Sequence, residues 1–289
     1  MDLWQGIIFE VLNGVVWGLV LALIALGLCL IYGLMGVINV AHGSLYMLGA
    51  VSGVYFVNTL GGNFWLALVL IPTMLGFLGF GLSTVVFEQV VRRDPAIGLL
   101  ATAGLLLIMD NTVLALFGGS PQSIFPPIAG GVLIFDVFYP SYRLVAAGIA
   151  ILLLALMWAF LRFTTYGLWM RATPQSRDLA SAVGIPIVRV NRLTVILGAM
   201  TAGLAGVLVA PISAAYYQMG LTILAASFII VVIGGLGNLS GVVVVALAFG
   251  VIRGLMNVVM SPTWAEVAIL LVLLPVLYFK PNGIFEARQ

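Results

Sequence analysis

The stretch that decides the fold reads Gly18-Leu-Val-Leu-Ala-Leu-Ile-Ala-Leu-Gly-Leu-Cys-Leu-Ile-Tyr-Gly-Leu-Met-Gly-Val-Ile-Asn-Val-Ala-His-Gly-Ser44. Its first part belongs to an apolar run over about residues 6–35, and a run of this length is typical of a helix that spans a bilayer. Its last part, residues 36–44, is polar and rich in glycine. This change predicts that the helix breaks there.

The composition of the whole chain extends the prediction to all 289 residues. Hydrophobic residues make up 63% of the sequence and charged residues 7%, whereas a soluble globular domain carries roughly 25% charged residues. The chain therefore has too few charges to solvate the surface of a water-soluble fold. We predict an all-α, polytopic transmembrane helical bundle that forms a single domain over residues 1–289.

The apolar stretches along the chain predict about eight or nine spans. They lie at 6–35, 45–60, 64–91, 96–117, 142–161, 193–213, 221–233, 242–260 and 264–279. The seventh stretch is short, and a re-entrant seventh segment would change the count. Residues 118–140 contain four prolines, which predicts an extramembrane loop that lies along the bilayer surface.

The positions of the cationic residues orient the bundle, because cytoplasmic loops are enriched in Lys and Arg. The cations cluster after the third span, between the fifth and sixth, and after the last: Arg92, Arg93, Arg162, Arg171, Arg177, Arg189, Arg192, Lys280 and Arg288. With nine alternating spans these three regions share one side of the membrane. We expect the N-terminus outside and the C-terminus in the cytoplasm.

Two segments place polar or glycine-rich backbone where a span should continue. Unwound backbone at membrane depth is tolerated only against protein or water, and transporters build solute sites from such broken helices. One hypothesis is that both breaks line a solute pathway, and the other is that both are interfacial turns between spans. The candidate pathway residues are Asn39, His42, Gly43 and Ser44 in the first break, and Gly234, Gly235 and Gly237 in the second.

Ionisable groups within the apolar runs are further candidates. His42 fits either a hydrogen-bonded structural group or a proton relay, and we expect no metal because neither a second His nor a Cys cluster accompanies it. Glu88 lies one turn from Arg92, which suggests an ion pair at the membrane boundary. Asp110 is predicted to face the pathway or, preferably, to lie near the outer interface.

The segment over approximately residues 163–191 is the longest polar part of the chain, and its arginines place it in the cytoplasm. Thr173-Pro174 predicts a helix start, residues 178–183 have helical character, and Gly184 is placed as the C-terminal cap. The short helix is either a surface element or a docking helix for a cytoplasmic partner. The chain contains no G-x-x-x-x-G-K-[ST] motif, so we expect no nucleotide site of its own.

Together these motifs resemble the membrane permease subunits of ABC importers for branched-chain amino acids. Three groups of motifs carry the resemblance, in family order: Gly18 to Ala50 with Asn39-Val-Ala-His-Gly43; Met170-Arg-Ala172, Ala180 and Val183-Gly-Ile185 with Gly198 to Gly206; and Gly234-Gly-Leu-Gly-Asn-Leu-Ser-Gly241 with Pro281-Asn-Gly-Ile-Phe285. They cover nearly the whole chain.

The resemblance implies a permease of the bacterial inner membrane that works by alternating access with several partners. These are a second, homologous permease subunit, two cytoplasmic ATPase subunits that hold ATP and Mg, and an extracytoplasmic solute-binding protein. It implies no cofactor on this chain and no nucleic acid. The implied solutes are branched-chain amino acids, related amino acids, short amides or urea. The residues implied to couple transport to the ATPases are Arg171, Ala172, Arg177, Ala180, Gly184 and Ile185.

Two alternatives remain open from the sequence. An ion-coupled secondary transporter or a channel would work alone and would need an intramembrane carboxylate or histidine, for which Asp110 and His42 are the candidates. An assembly factor of a membrane complex would need no pathway. Co-purification with an ATPase and a requirement of uptake for ATP would distinguish the first alternative from the importer.

Overall fold

A computed structural model describes residues 3–91, 93–261, 263–265, 267–268, 271, 280 and 283–285. The helices named within these residues are α1 (Leu3–Met35), α2 (His42–Asn58), α3 (Phe64–Leu82), α4 (Glu88–Val90), α5 (Pro95–Phe117), α6 (Ser141–Phe163), α7 (Thr165–Ala172), α8 (Arg177–Ala182), α9 (Ile187–Val209), α10 (Met219–Gly234) and α11 (Leu239–Val259). A π-helical turn over Ser83–Phe87 joins α3 to α4, and an antiparallel hairpin pairs β1 (Gly131–Ile134) with β2 (Val137–Pro140).

The predicted all-α polytopic bundle is confirmed. Within the described residues, six segments are long and apolar enough to cross a membrane: α1, α3 through α4, α5, α6, α9 and α11. Helices α2 and α10 are shorter, with 17 and 16 residues. Most of the predicted ninth span, 264–279, lies outside the described residues, as do Arg92 and Arg288, so the number of spans stays a prediction.

Helix α1 is the centre of the bundle, because almost every side chain from Gly18 to Met35 is buried. It packs along α11 through glycines: a Cβ on Gly14 would lie 2.4 Å from the carbonyl oxygen of Gly250. Small residues let helix backbones approach closely where lipid offers no hydrophobic driving force. The glycines of these helices are therefore explained by packing.

The two ends of the bundle are defined by contacts between loops and helix termini. At the end that we call the hairpin end, the Tyr139 hydroxyl donates to Asn13 Oδ1 (3.1 Å) near the start of α1, and the Tyr142 hydroxyl donates to the Leu208 carbonyl (2.7 Å) near the end of α9. At the opposite end, which we call the loop end, Arg177 of α8 reaches the Leu34 carbonyl near the end of α1. Helices α1 and α9 therefore cross the bundle in opposite directions.

The helices fall into two halves with the same packing pattern. Helix α1 packs on α11 and α9 packs on α3, while α2 packs on α9 and α10 packs on α1. Thus α1, α2 and α3 correspond to α9, α10 and α11. Because α1 and α9 run in opposite directions, the halves have inverted orientation, as in many transporter folds.

One loop prediction is wrong, and the structure adds detail to another. Thr173 does not begin a helix: its backbone N–H bonds the Trp169 carbonyl at the end of α7. Helix α7 exists because Thr164 caps it (Gly167 N to Thr164 Oγ1, 3.0 Å), and Ser176 then caps α8. The predicted surface loop 118–140 contains the β hairpin, which turns through two residues of positive φ, Phe135 and Asp136.

Candidate functional site

The first predicted break is a re-entrant segment that carries the chain back into the bundle. Helix α1 ends at Gly36, whose φ is +67° and whose N–H bonds the Tyr32 carbonyl (2.8 Å). Residues 36–41 then lead to His42, whose Nε2 lies 3.0 Å from the Ile24 carbonyl oxygen. Ile24 is about 16 Å along α1 from its last residue, at a rise of about 1.5 Å per residue. Helix α2 therefore begins deep inside the bundle.

Residue Thr102 of α5 holds this re-entrant segment in place. Its hydroxyl lies 2.9 Å from the Ile38 carbonyl oxygen and accepts from the Val40 N–H at 3.2 Å. Thr102 is fully buried. One side chain thus satisfies backbone groups that have no helix or sheet partner.

A second re-entrant segment, residues 210–218, enters from the hairpin end and leads to α10. The starts of α2 and α10 meet in the interior with reciprocal backbone contact. A Cβ on Gly43 would lie 2.2 Å from the Gly220 carbonyl oxygen, and a Cβ on Gly220 would lie 2.6 Å from that of Gly43. We call residues 42–44 and 219–221 the helix crossing. Only glycine leaves enough room for this contact.

The helix crossing brings two positive helix ends together inside the bundle. Unpaired N–H groups give each helix N-terminus a partial positive charge. Asp110 of α5 lies beside them and accepts a hydrogen bond from Ser44 Oγ (2.8 Å). Asp110 is 8% exposed and Ser44 is 1% exposed. Asp110 therefore faces the interior of the bundle, on the face of α5 that packs on α2.

Several buried polar atoms around this region have no hydrogen-bond partner among the described residues. They are Asn39 Oδ1, His42 Nδ1, Tyr46 Oη and Ser227 Oγ. Buried polar groups in native proteins almost always bond to protein or to ordered water. The interior near the crossing thus offers free donors and acceptors to water or to a small polar molecule.

A cavity of about 170 Å³ opens at the hairpin end, above the crossing. Val113 lies in its wall, one turn along α5 from Asp110. Reciprocal backbone bonds between Gln122 and Ala215 (3.0 and 2.7 Å) join the re-entrant segment 210–218 to the wall. Its polar lining residues are Tyr55, Thr59, Ser120, Gln122, Tyr216 and Tyr217.

The second predicted break lies elsewhere, at the loop end. Gly234 ends α10, and Gly235 and Gly237 form a turn with φ of +92° and +86°. Asn238 then caps α11 through the Gly241 N–H (3.0 Å). Gly237 lines a cavity of about 680 Å³ there. The structure does not bring this turn together with Asn39, His42, Gly43 and Ser44.

The true counterpart of the first break is the segment 210–218, which sequence reasoning placed partly within a span. Pro211 and the polar residues between Ser213 and Gln218 are the signals that could have revealed it. The segment is rich in Ala and Tyr and contains no glycine before Gly220, so it resembles an ordinary interfacial loop.

The predicted coupling residues divide between two short helices. Arg177, Ala180, Gly184 and Ile185 lie together on α8 and its cap, where Gly184 has φ of +83° and the Ile185 N–H bonds the Ala180 carbonyl (3.0 Å). Arg177 Nη2 also donates to the Leu34 carbonyl (2.7 Å). Arg171 and Ala172 instead end α7.

Two apolar residues of this segment escaped prediction. Leu179 and Val183 are 69% and 76% exposed on α8 and its C-cap. They lie four residues apart, about one helical turn, so they form one small apolar surface.

Two further acidic residues, Glu88 and Glu10, lie at the two ends of the bundle. Glu88 pairs with Arg192 of α9, with a second contact between Arg192 Nη2 and Glu88 Oε2 at 3.2 Å. Glu10 lines a cavity at the hairpin end with Asn13 and Arg143, which bond each other. In the part of the chain that the structure describes, no three His, Cys, Asp or Glu side chains cluster as metal ligands.

Comparison with known proteins adds a family and its members. A family model described as branched-chain amino acid transport system / permease component matches residues 10–277. The chain is 28% identical to the high-affinity branched-chain amino acid transport system permease protein LivH of Salmonella typhimurium, covering 95% of this chain and 94% of that one. It is 24% identical to BraD of Pseudomonas aeruginosa over 95% and 94% of the two chains, and 24% identical to a probable LivH of Methanocaldococcus jannaschii over 98% and 93%.

Proposed function

Since this chain belongs to the family of permease components of branched-chain amino acid transport systems, we propose that it is the membrane-spanning permease subunit of an ABC importer. The solute is a branched-chain amino acid or a related small amino acid, amide or urea. The observation that carries the proposal is the helix crossing, where re-entrant segments from both ends of the bundle meet beside the Ser44–Asp110 pair. Transporters place solute sites at such broken helices.

The solute path follows the polar groups from one end to the other. It begins in the cavity at the hairpin end, passes the Ser44–Asp110 pair and the crossing, and leaves along residues 36–41 toward the loop end. A zwitterionic amino acid finds complementary charges there: the Asp110 carboxylate suits its ammonium group, and the helix N-termini suit its carboxylate.

Alternating access then requires one re-entrant segment to move at a time. The outer gate is the segment 210–218, which the Gln122–Ala215 bonds hold closed. The inner gate is the segment 36–41, which Thr102 holds closed. In this proposal the hairpin end faces outward and receives the solute-binding protein, while the loop end, which carries most of the arginines, faces the cytoplasm.

In this proposal, ATP hydrolysis in partner chains supplies the energy for transport. Two ATPase subunits hold ATP and Mg and dock on α8, where Leu179 and Val183 supply the apolar contact. A homologous second permease subunit completes the membrane domain. Arg177 transmits the motion of α8 to the end of α1 through its bond to the Leu34 carbonyl, and thereby to the inner gate.

The test of this proposal is charge reversal at Arg177, which links α8 to α1 through its hydrogen bond to the Leu34 carbonyl. Arg177→Glu in the reconstituted complete transporter should reduce ATP-driven uptake by at least about tenfold, equivalent to about 1.4 kcal/mol of transition-state stabilisation, while membrane insertion and ATP hydrolysis persist. Arg189→Glu is the matched control, because Arg189 is exposed in the first turn of α9 and the bond to the Leu34 carbonyl comes from Arg177. Normal ATP-driven uptake by the Arg177→Glu variant would contradict the assignment of α8 as the coupling segment.

A stand-alone ion-coupled transporter is the second candidate, and the buried Asp110 is the observation that favours it. Such a protein would use protonation or ion binding at this carboxylate. Uptake driven by an ion gradient in liposomes that contain this chain alone would support it. Uptake that requires ATP and co-purifying ATPase subunits would eliminate it.

A further inference from the structure

A groove separate from the solute path runs between α6 and α11, with α1 as its floor. Its volume is about 650 Å³. The helices that flank it are mostly exposed along their lengths, so the groove opens sideways toward the bilayer. Its apolar lining residues are Leu26, Leu154, Met157, Trp158, Leu161, Leu239, Val243 and Val244.

The groove is cationic at the loop end. Arg162 lies in the last turn of α6 and Arg171 in the last turn of α7, and both line this end with Asn238 and Ser240 from the start of α11. Among the residues that the structure describes, no acidic side chain lines the groove. Neither arginine bonds or pairs with another residue in the part of the chain that the structure describes.

The apolar part of the groove is long enough to hold part of an acyl chain. From Leu154 to Arg162 the wall extends about 12 Å along α6, at a rise of about 1.5 Å per residue. Trp158 on one wall is 57% exposed and Val244 on the other is 51% exposed, whereas Leu26 in the floor is buried. The surface that these residues present to a ligand is therefore continuous, apolar and open to lipid.

We propose that this groove binds one anionic phospholipid. Its phosphate lies between Arg162 and Arg171, with Asn238 and Ser240 as additional polar contacts, and one acyl chain follows the groove toward Leu154. Charge selects the lipid: two arginines that have no carboxylate beside them among the described residues leave a positive charge that a zwitterionic headgroup does not neutralise. Basic pockets between transmembrane helices bind anionic headgroups in this way.

The position of Arg171 gives the lipid a structural effect. This residue also lines the cavity of about 680 Å³ beneath the segment that joins α7 to α8. A phosphate held by Arg162 and Arg171 therefore ties α7 to the ends of α6 and α11. Binding requires only the membrane-embedded bundle, so it is measured without any transport assay.

The experiment uses the complete transporter in nanodiscs of phosphatidylcholine and phosphatidylglycerol, with bound lipid identified by native mass spectrometry after mild delipidation. The wild type should retain one phosphatidylglycerol per copy of this chain. Arg162→Gln should weaken retention by about fivefold, and Arg162→Gln with Arg171→Gln by about 25-fold, from about 1 kcal/mol for each arginine near an anionic lipid. Val244→Trp, which fills the groove, should also release the lipid, and Arg189→Gln should not.

Three outcomes would overturn the proposal. Unchanged phosphatidylglycerol retention in both the double arginine variant and the Val244→Trp variant would show that the lipid binds elsewhere. Displacement of the retained lipid by inorganic phosphate alone would identify a site for a free anion. A cross-link from Val244→Cys to the second permease subunit would make the groove a subunit interface.

Discussion

The helix crossing and the turn at the loop end both look like glycine-rich breaks in the sequence, but Gly43 of the crossing and Gly237 of the turn have to be glycine for different reasons. At the crossing, neither Gly43 nor Gly220 has positive φ, and each lacks room for a Cβ against the other's backbone. At the turn, Gly237 has φ of +86°, and the nearest atom to a Cβ placed there lies 4.0 Å away. Space constrains Gly43 and Gly220, whereas backbone torsion alone constrains Gly237.

The most damaging test of this comparison is Gly43→Ala. The added methyl group would meet the Gly220 carbonyl oxygen at 2.2 Å, and both sides of the contact are backbone that cannot rotate away. We expect a loss of at least about 3 kcal/mol of stability. Thermal unfolding in detergent measures it, with Gly104→Ala as the control, because nothing lies within 4 Å of a Cβ there. Equal unfolding temperatures of the Gly43→Ala and Gly104→Ala variants would show that space does not limit the residue type at the helix crossing.

The next largest effect should come from Thr102→Val, which removes the hydroxyl that holds the inner re-entrant segment. The substitution keeps the shape but leaves the Val40 N–H buried without its acceptor, which costs about 2 kcal/mol. Thr112→Val is the matched control on the same helix, because the Thr112 hydroxyl is exposed and bonds only the Ile108 carbonyl of its own helix. Hydrogen exchange of residues 36–41 should rise in the first variant alone, and an unchanged rate would contradict the restraint.

Asp110→Asn tests whether the negative charge beside the helix crossing contributes to solute uptake or whether this side chain serves only in packing. Asparagine keeps an oxygen to accept from Ser44 Oγ, so thermal stability should change little. Loss of the negative charge should lower uptake of a zwitterionic solute by about tenfold, or about 1.4 kcal/mol. Asp136→Asn at the hairpin tip is the control, because Asn tolerates its positive φ. Wild-type uptake by the Asp110 variant would assign this carboxyl a structural role only.

Part of this architecture was predictable because it depends on local chemistry. The apolar run before Met35, the break at residues 36–44 and the cap at Gly184 each follow from residue type and spacing. The partner of the first break was not predictable, because residues 210–218 carry no glycine until Gly220. Its re-entrant path is set by contacts with Gln122, far away in sequence.

The contact between Asp110 and Ser44 could not be predicted, for a related reason. Helix α5 is apolar on nearly every side, so its periodicity does not indicate which face is buried. Only its packing against α2 brings Asp110 to Ser44. Sequence pattern in a membrane helix thus locates the span but leaves open which side of it carries the chemistry.

The smallest effect, and the sharpest contrast with the crossing, is expected at Gly237. Alanine there meets no steric obstacle, so it costs only the strain of positive φ, about 1 kcal/mol. Asparagine tolerates this backbone region better, so Gly237→Asn should recover most of that loss, whereas Gly43→Asn should unfold at least as readily as Gly43→Ala. Thermal unfolding of the four variants measures both differences. A side chain larger than alanine cannot relieve a contact with the Gly220 backbone. If Gly43→Asn were nevertheless more stable than Gly43→Ala, as expected at position 237, backbone torsion rather than space would govern both positions.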